Sequence, residues 1–342
     1  MNDPLQLKLL NGEDQNQAPG LVWACRGLPG KAAEPVSARE LGAAVAARIG
    51  WVWIHVDLVD QRTRGWLGDT CALPAASRAI LEGHDFGFSL GHEEGVVHGV
   101  AAELHGELER RSNTVGRLYF AVTETLLVTG RRHTLASVQN VHEALVAGTL
   151  RPATAFELFE AIMGAFAQNI GLRLAEAAQH LDEVEDRLMA GTFRDDRQDL
   201  RKVRRLAVSL HRPVSSLVAL FRDQRRSDWT LPGSAYEVLD RLAAQMGQLD
   251  HEVATINDRA RLLQEELSAE LADESNRSLR ALAVISALLL PGTLVAGILG
   301  MNTSDTPLTE TPGGFIVAIL AGVAATGLFY WLLKRAGVRL RL

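Results

Sequence analysis

Cysteine is nearly absent from the 342 residues: Cys25 and Cys71 stand far apart and match no zinc-binding or redox spacing. Two such thiols fit a reducing compartment. No Gly-rich phosphate loop follows a strand-like segment, and no nucleophile, paired-acid or cofactor motif is present, so neither an enzyme nor a bound cofactor is expected. Positive charge is not in excess. The 35 basic and 41 acidic residues leave a net charge of -6, which gives no reason to expect nucleic acid as a partner. The first residues, Met1-Asn2-Asp3-Pro4, have neither the basic nor the apolar region of a cleaved signal peptide.

Charge itself disappears from two stretches. Ala281 to Leu299 and Phe315 to Leu333 are each 19 residues without Asp, Glu, Lys or Arg, whereas residues 1 to 280 read as water-soluble. At about 1.5 Å per helical residue, each run crosses a hydrocarbon core of about 30 Å. Arg277 and Arg280 precede the first run, and Lys334, Arg335, Arg339 and Arg341 follow the second. The segment between them, Asn302 to Gly314, carries Asp305 and Glu310 and no basic residue. The positive-inside rule then places both termini in the cytoplasm and the short loop outside. The expectation is a two-span protein of the cell inner membrane, with lipid around its C-terminal part.

What precedes the spans divides in two. Residues 1–150 alternate strand and helix signals and read as a cytosolic α/β domain. Its candidate strands are Leu21–Ala24, Trp51–Val56, Val96–Ala101, Arg117–Val122 and Thr125–Thr129. Ser37 three residues before Glu40 predicts a capping-box start for a helix to about Ile49. Residues 151–233 are helical throughout, with one helix over Phe156–Ala190 and another over Gln198–Arg222 that Pro213 is expected to kink. Pro232-Gly233 ends a turn, and a stalk helix then occupies 234–280.

That stalk carries Leu239, Leu242, Met246, Leu249, Val253, Ile256, Ala260, Leu263 and Leu267, at alternating intervals of three and four. Such a heptad seam fits packing against the two preceding helices, and it equally fits self-association. If the helix continues unbroken to Leu299 it is about 99 Å long at 1.5 Å per residue. The spans would be 281–302 and 315–333, joined by a loop at 303–314 and followed by a basic tail at 334–342.

The first span closes on Gly300-Met301-Asn302. Together with Asn276, Arg280, Leu282, Pro291, Thr293 and Ala296-Gly297, this tripeptide resembles the CorA superfamily of divalent-cation transporters. Upstream, Leu181-Asp182-Glu183-Val184-Glu185 and Val203-Arg204-Arg205-Leu206 through Arg212-Pro213 resemble the family's cytosolic helices. The likeness runs from about Trp51 to the end of the chain. Magnesium-type members carry aromatic residues beside the tripeptide and an acidic outer loop. Here the neighbours are Leu299 and Thr303, and the loop is rich in proline and glycine. With Arg117-Leu118-Tyr119-Phe120 and Thr125–Thr129, these features look more like the ZntB branch, associated with zinc.

The resemblance implies an α+β cytosolic domain, long stalk helices and two C-terminal transmembrane helices in a funnel-shaped homopentamer. Five copies of the first span would line one pore. Helical spacing then puts Asn276, Leu279, Leu282, Ala283, Ser286, Leu290, Thr293 and Gly297 toward the axis. Leu282 and Leu290 would form rings able to close it by excluding water. Gly300, Met301 and Asn302 would make the selectivity filter, where Asn302 holds a hydrated ion through its water. Asp305 and Glu310 are the outer-loop acids. The expected cargo is Zn2+, with Mg2+ or Co2+ as the alternative.

No Asp, Glu or His lies in either span, so no proton relay is visible there. His84, His92, Glu93, Glu94, His98, Glu103 and His105 form the densest metal-capable cluster of the soluble part, with Asp250-His251-Glu252 on the stalk as a second candidate. Scattered surface residues are the favoured explanation of both, with a regulatory metal site as the alternative. The rival from another class is a membrane-anchored coiled-coil signalling protein, against which the short outer loop counts.

Overall fold

The computed structural model describes residues 18–82, 87–104, 115–192, 196–223, 229–299 and 313–335. The chain divides into two units, Met1–Leu263 and Gln264–Leu342.

The first unit is built on one seven-stranded sheet among the described residues, in the order β2-β1-β3-β7-β6-β5-β4. Its strands are β1 (Leu21–Gly27), β2 (Glu34–Pro35), β3 (Trp51–Asp57), β4 (Ser89–Glu93), β5 (Val96–Leu104), β6 (Val115–Val122) and β7 (Leu126–Arg131). The single parallel pairing joins β3 to β7, and all other neighbours are antiparallel. β3 reads Trp-Val-Trp-Ile-His-Val-Asp and is buried over its first six residues, as a strand covered on both faces must be.

The two covers are different. On one face Val52, Ile54, Val56, Tyr119, Ala121 and Val128 form a core with Leu41, Leu67 and Ile80. Those three come from α1 (Ala38–Ala47), α2 (Thr63–Cys71) and α3 (Ala75–Leu81). The other face carries α4 (Ala136–Val146) and α5 (Ala155–Met189). There Phe120 meets Phe159 at 4.4 Å between ring centroids, and Trp51 Nε1 donates to the Pro152 carbonyl at 2.8 Å.

All five strands expected from the sequence are present. Two more, β2 and β4, carry no strong β-formers. β4 pairs with β5 through a two-residue turn in which Glu94 (φ 50°) and Gly95 (φ +80°) are both left-handed, the geometry that suits the twist of a tight hairpin. The capping box at α1 differs from expectation. Ser37 donates its hydroxyl to the Glu40 carboxylate at 2.9 Å and makes no side-chain bond to the helix backbone. A reciprocal cap does form at α5, where the Thr154 hydroxyl accepts from the Glu157 N–H at 3.2 Å and the Glu157 carboxylate accepts from the Ala153 N–H at 2.7 Å.

Two further helices complete the bundle: α6 (Asp196–Asp223), which continues through the buried Pro213, and α7 (Gly233–Leu299). All nine seam residues from Leu239 to Leu267 are buried within a single chain. Intramolecular packing therefore accounts for the seam. Polar contacts fix its register: Arg241 forms a fork on Glu160 of α5 at 2.6 and 2.8 Å, and Arg259 reaches Asp182 and Glu185 of α5 at 2.5 and 2.6 Å. Asp250 accepts from the Ser215 hydroxyl of α6 at 2.7 Å.

The second unit consists of the C-terminal part of α7 and α8 (Gly314–Arg335). Both are long and apolar enough to cross a membrane, and in neither is the most apolar window buried within the chain.

Candidate functional site

Within the second unit α7 has two distinguishable sides. Val284, Ala287, Leu288, Pro291, Gly292 and Val295 are half-buried, while their neighbours are exposed. They recur every three or four residues and make the side that packs on α8. A Cβ added to Gly322 would lie 3.9 Å from Gly292 Cα, and one added to Gly292 would lie 3.4 Å from the Thr326 hydroxyl. Small residues at such a crossing let two apolar helices approach closely where no hydrophobic effect drives them together. At the far end of α8, the Arg335 guanidinium lies 5.2 Å from the Trp331 ring centroid. An aromatic ring beside a cation is an arrangement suited to a membrane–water boundary.

The residues expected to line a pore lie on the other side. Asn276, Leu279, Leu282, Ala283, Ser286, Leu290, Thr293 and Gly297 are all exposed. At about 100° per residue, their mean direction is about half a turn away from the line that meets α8. Thr293 donates its hydroxyl to the Leu290 carbonyl at 2.9 Å, so its proton is directed into its own helix and the oxygen lone pairs are what remain for the exposed side. The tripeptide Gly300, Met301 and Asn302 and the acids Asp305 and Glu310 lie outside the described residues, as do the rest of the outer loop through residue 312 and the tail from residue 336.

The histidine and glutamate cluster of the first unit does not converge among the described residues. Among the described residues no group of three or more His, Cys, Asp or Glu side chains could hold a metal ion. His98 and Glu103 share β5 but stand an odd number of positions apart, so they project to opposite faces of the sheet. His98 meets the Ser77 hydroxyl of α3 at 2.9 Å, and burial lowers its pKa. The Glu93 carboxylate accepts from the Ala76 N–H at 2.8 Å, at the start of α3. His92 Nε2 accepts from the Gly95 N–H at 3.2 Å, and its ring stacks on Trp229 at 5.6 Å. His84 and His105 lie outside the described residues. On the stalk, Asp250 is engaged by Ser215 and lies 3.4 Å from His211 Nδ1. Burial pushes the thiols of Cys25 and Cys71 up to about 12, leaving neither as a thiolate ligand at neutral pH.

Two buried polar groupings on the α4 side of the sheet have no counterpart in the sequence reading. Trp23 lies between two imidazoles, 4.3 Å from His55 and 4.2 Å from His142. The Thr129 hydroxyl accepts from Trp53 Nε1 at 2.8 Å and meets His55 Nδ1 at 2.8 Å. Glu103 is fully buried and accepts from the Ser137 hydroxyl at 2.7 Å. These partners come from different elements of the fold, and no local spacing announces them.

A sheet domain joined to a 67-residue helix that ends as an apolar span, followed by a second apolar helix, defines a two-span membrane protein with a large polar domain. The family model described as "CorA-like Mg2+ transporter protein" matches residues 49–335, and the chain belongs to that family of divalent-cation transporters. It is 26% identical over 294 residues to the divalent cation transporter CmaX of Pseudomonas aeruginosa, covering 83% of this chain and 86% of that one. It is 25% identical over 308 residues to the zinc transport protein ZntB of Yersinia pseudotuberculosis, covering 86% and 89%.

Among solved structures, full-length CmaX superposes with a TM-score of 0.72 at 21% identity, covering 92% of this chain and 97% of that one. The CorA magnesium transporter of Methanocaldococcus jannaschii gives 0.71 at 16% identity, covering 92% and 98%. The CorA-like fold expected from the sequence is the fold observed.

Proposed function

We propose that the protein is a homopentameric uptake pathway for divalent cations in the cell inner membrane, with zinc as its preferred ion. Five copies of residues 281–302 surround the pore. The domain of residues 1–150, the helical region 151–233 and the stalk 234–280 lie in the cytoplasm with the basic tail 334–342. The loop 303–314 lies outside, and residues 315–333 form the outer helix.

The observation that carries this reading is the exposed, uncharged side of α7 from Asn276 to Gly297, turned away from α8. A line of Leu, Ser and Thr at helical spacing suits a pore that alternates dry rings with weak oxygen ligands. Leu282 and Leu290 close it by excluding water, and Thr293 offers oxygen lone pairs to a hydrated ion. Gly300, Met301 and Asn302 form the outer filter, where five neutral amides hold the ion through its water, and Asp305 and Glu310 raise the local cation concentration. Zinc is favoured by the relatives named ZntB and by Leu299 and Thr303 beside the tripeptide. Magnesium or cobalt is the second reading, favoured by the magnesium transporters that give the family its description.

Uptake into proteoliposomes, measured with Zn2+, Mg2+ and Co2+ separately, tests both levels. Zinc flux that Asn302→Ala reduces or makes unselective supports the reading. Magnesium flux without zinc flux would overturn the ion assignment, and no flux of any divalent ion would overturn the pore.

A further inference from the structure

The strongest unassigned feature is the carboxyl group sealed beneath α4. Glu103 lies near the end of β5, opposite Gly116 of β6, with no exposed surface. Its Oε1 accepts from the Ser137 hydroxyl at 2.7 Å and from the Leu104 N–H at 2.8 Å. Its Oε2 has no partner among the described residues. The Ser137 hydroxyl in turn accepts from Asn169 Nδ2 of α5 at 3.1 Å. One carboxyl group therefore ties the sheet, the first turn of α4 and the middle of α5 together. α5 is the helix whose Glu160, Asp182 and Glu185 hold Arg241 and Arg259 of α7.

We infer that Glu103 is a proton-operated latch that sets how firmly α4 and α5 are seated on the sheet, and through them how α7 is held. Neutral, the carboxyl group is compatible with its dry site. Ionised, it leaves a charged oxygen without a hydrogen bond, an expensive state that opening of α4 to water relieves. Loss of the latch frees Asn169 and loosens the grip of α5.

The surroundings suit a switch and not a fixed ion pair. Burial raises the Glu103 pKa to about 7, opposed by hydrogen bonds from Ser137 and Leu104, and no charged group among the described residues contributes. The facing elements supply Gly116 from β6, Ser137 from α4 and Asn169 from α5. Among the described residues, the titratable groups on this side include Asp57, paired in register with Arg131, and three whose pKa is shifted: His142, five residues along α4, and His55 and Arg131 farther across the sheet. Burial lowers the pKa of all three, so both imidazoles are neutral where Glu103 titrates. For a group near pH 7, the protonated fraction falls from about 90% to about 10% between pH 6 and pH 8.

The test is hydrogen exchange of α4 in the full-length protein in nanodiscs, with rates corrected for the intrinsic effect of pH. α4 should lose protection by several-fold between pH 6 and pH 8 with a midpoint near 7, and Glu103→Gln should abolish that change. If α4 protection does not depend on pH, or if the dependence survives Glu103→Gln but vanishes in His142→Phe, the latch is overturned. Should Glu103→Gln fail to fold, Ser137→Ala provides the test: without the bond that favours the ionised form the midpoint must rise, and an unmoved midpoint overturns the proposal. Divalent-cation flux measured against pH on the side of the N-terminal domain should follow the same midpoint. That arm alone rests on the transport reading, so a failed pore and a failed latch give different results.

Discussion

The apolar residues at the two ends of α7 have opposite fates. From Leu239 to Leu267 every seam residue is buried by the chain itself. Farther along, on the side turned away from α8, Leu279, Leu282 and Leu290 are 60, 61 and 64% exposed. A large apolar side chain left in water forgoes about 1.5–3 kcal/mol. A run of them on one helix is tenable only when another apolar medium, lipid or a second copy of the span, takes the place of a core. Amphipathic patterning therefore marks where this chain folds upon itself, and the loss of patterning marks where it must be completed from outside.

Substitutions on the two ends separate these cases. Leu242→Ala should destabilise the soluble unit by about 2–5 kcal/mol, the range for a leucine removed from a packed core, whereas Leu282→Ala should leave its unfolding unchanged and alter ion flux. Thermal unfolding of the purified protein followed beside flux reads both. Equal destabilisation by the two substitutions would erase the distinction.

The buried side of the comparison also predicts a pH dependence. Glu103 holds its proton more tightly in the folded chain than in the unfolded one, about 7 against 4.5. Its contribution to stability is therefore full below about pH 4.5 and is lost as pH rises through 7. At pH 8 the loss amounts to about 3 kcal/mol, by the equivalence of a pKa difference and free energy. His55 and His142 act in the opposite sense at acid pH because their folded-state pKa values are lowered. The difference between wild type and Glu103→Gln in denaturant midpoints from pH 5 to pH 8 isolates the carboxyl group, and a constant difference would contradict the assignment.

Much of this architecture is legible in the sequence because it rests on periodicity. The five apolar strands, the seam of α7 and the two uncharged runs are each declared by residues close together in the chain. β4 escaped because its turn is Glu94-Gly95 and its residues are Ser, Leu, Gly, His and Glu, a half-buried edge with little β signal. The metal-capable residues stay scattered for a geometric reason: alternation along β5 sends His98 and Glu103 to opposite faces. Glu103 finds Ser137 and Asn169 only through tertiary folding, so no local motif could reveal them. The side of α7 that is turned away from α8 follows from helical spacing, since one helix fixes the direction of every residue on it.

Smaller effects sharpen the boundary between the two ends. Arg259→Ala removes both bridges to α5, but these groups are largely exposed to water, so a loss of about 0.5–1 kcal/mol that shrinks in high salt is expected in unfolding experiments. Thr293→Val keeps the shape of the exposed side and removes only a hydroxyl already bonded within its own helix. Stability should hardly change, while cation flux should fall because the oxygen presented to the pathway is gone.

The account depends above all on the unpatterned end of α7 being completed by other copies of itself. Native mass determination of the detergent-purified protein tests this most directly. The account predicts a particle of five times the 37.2 kDa chain mass. A monomer or dimer would contradict it, because the two spans of one or two copies cannot enclose a pore.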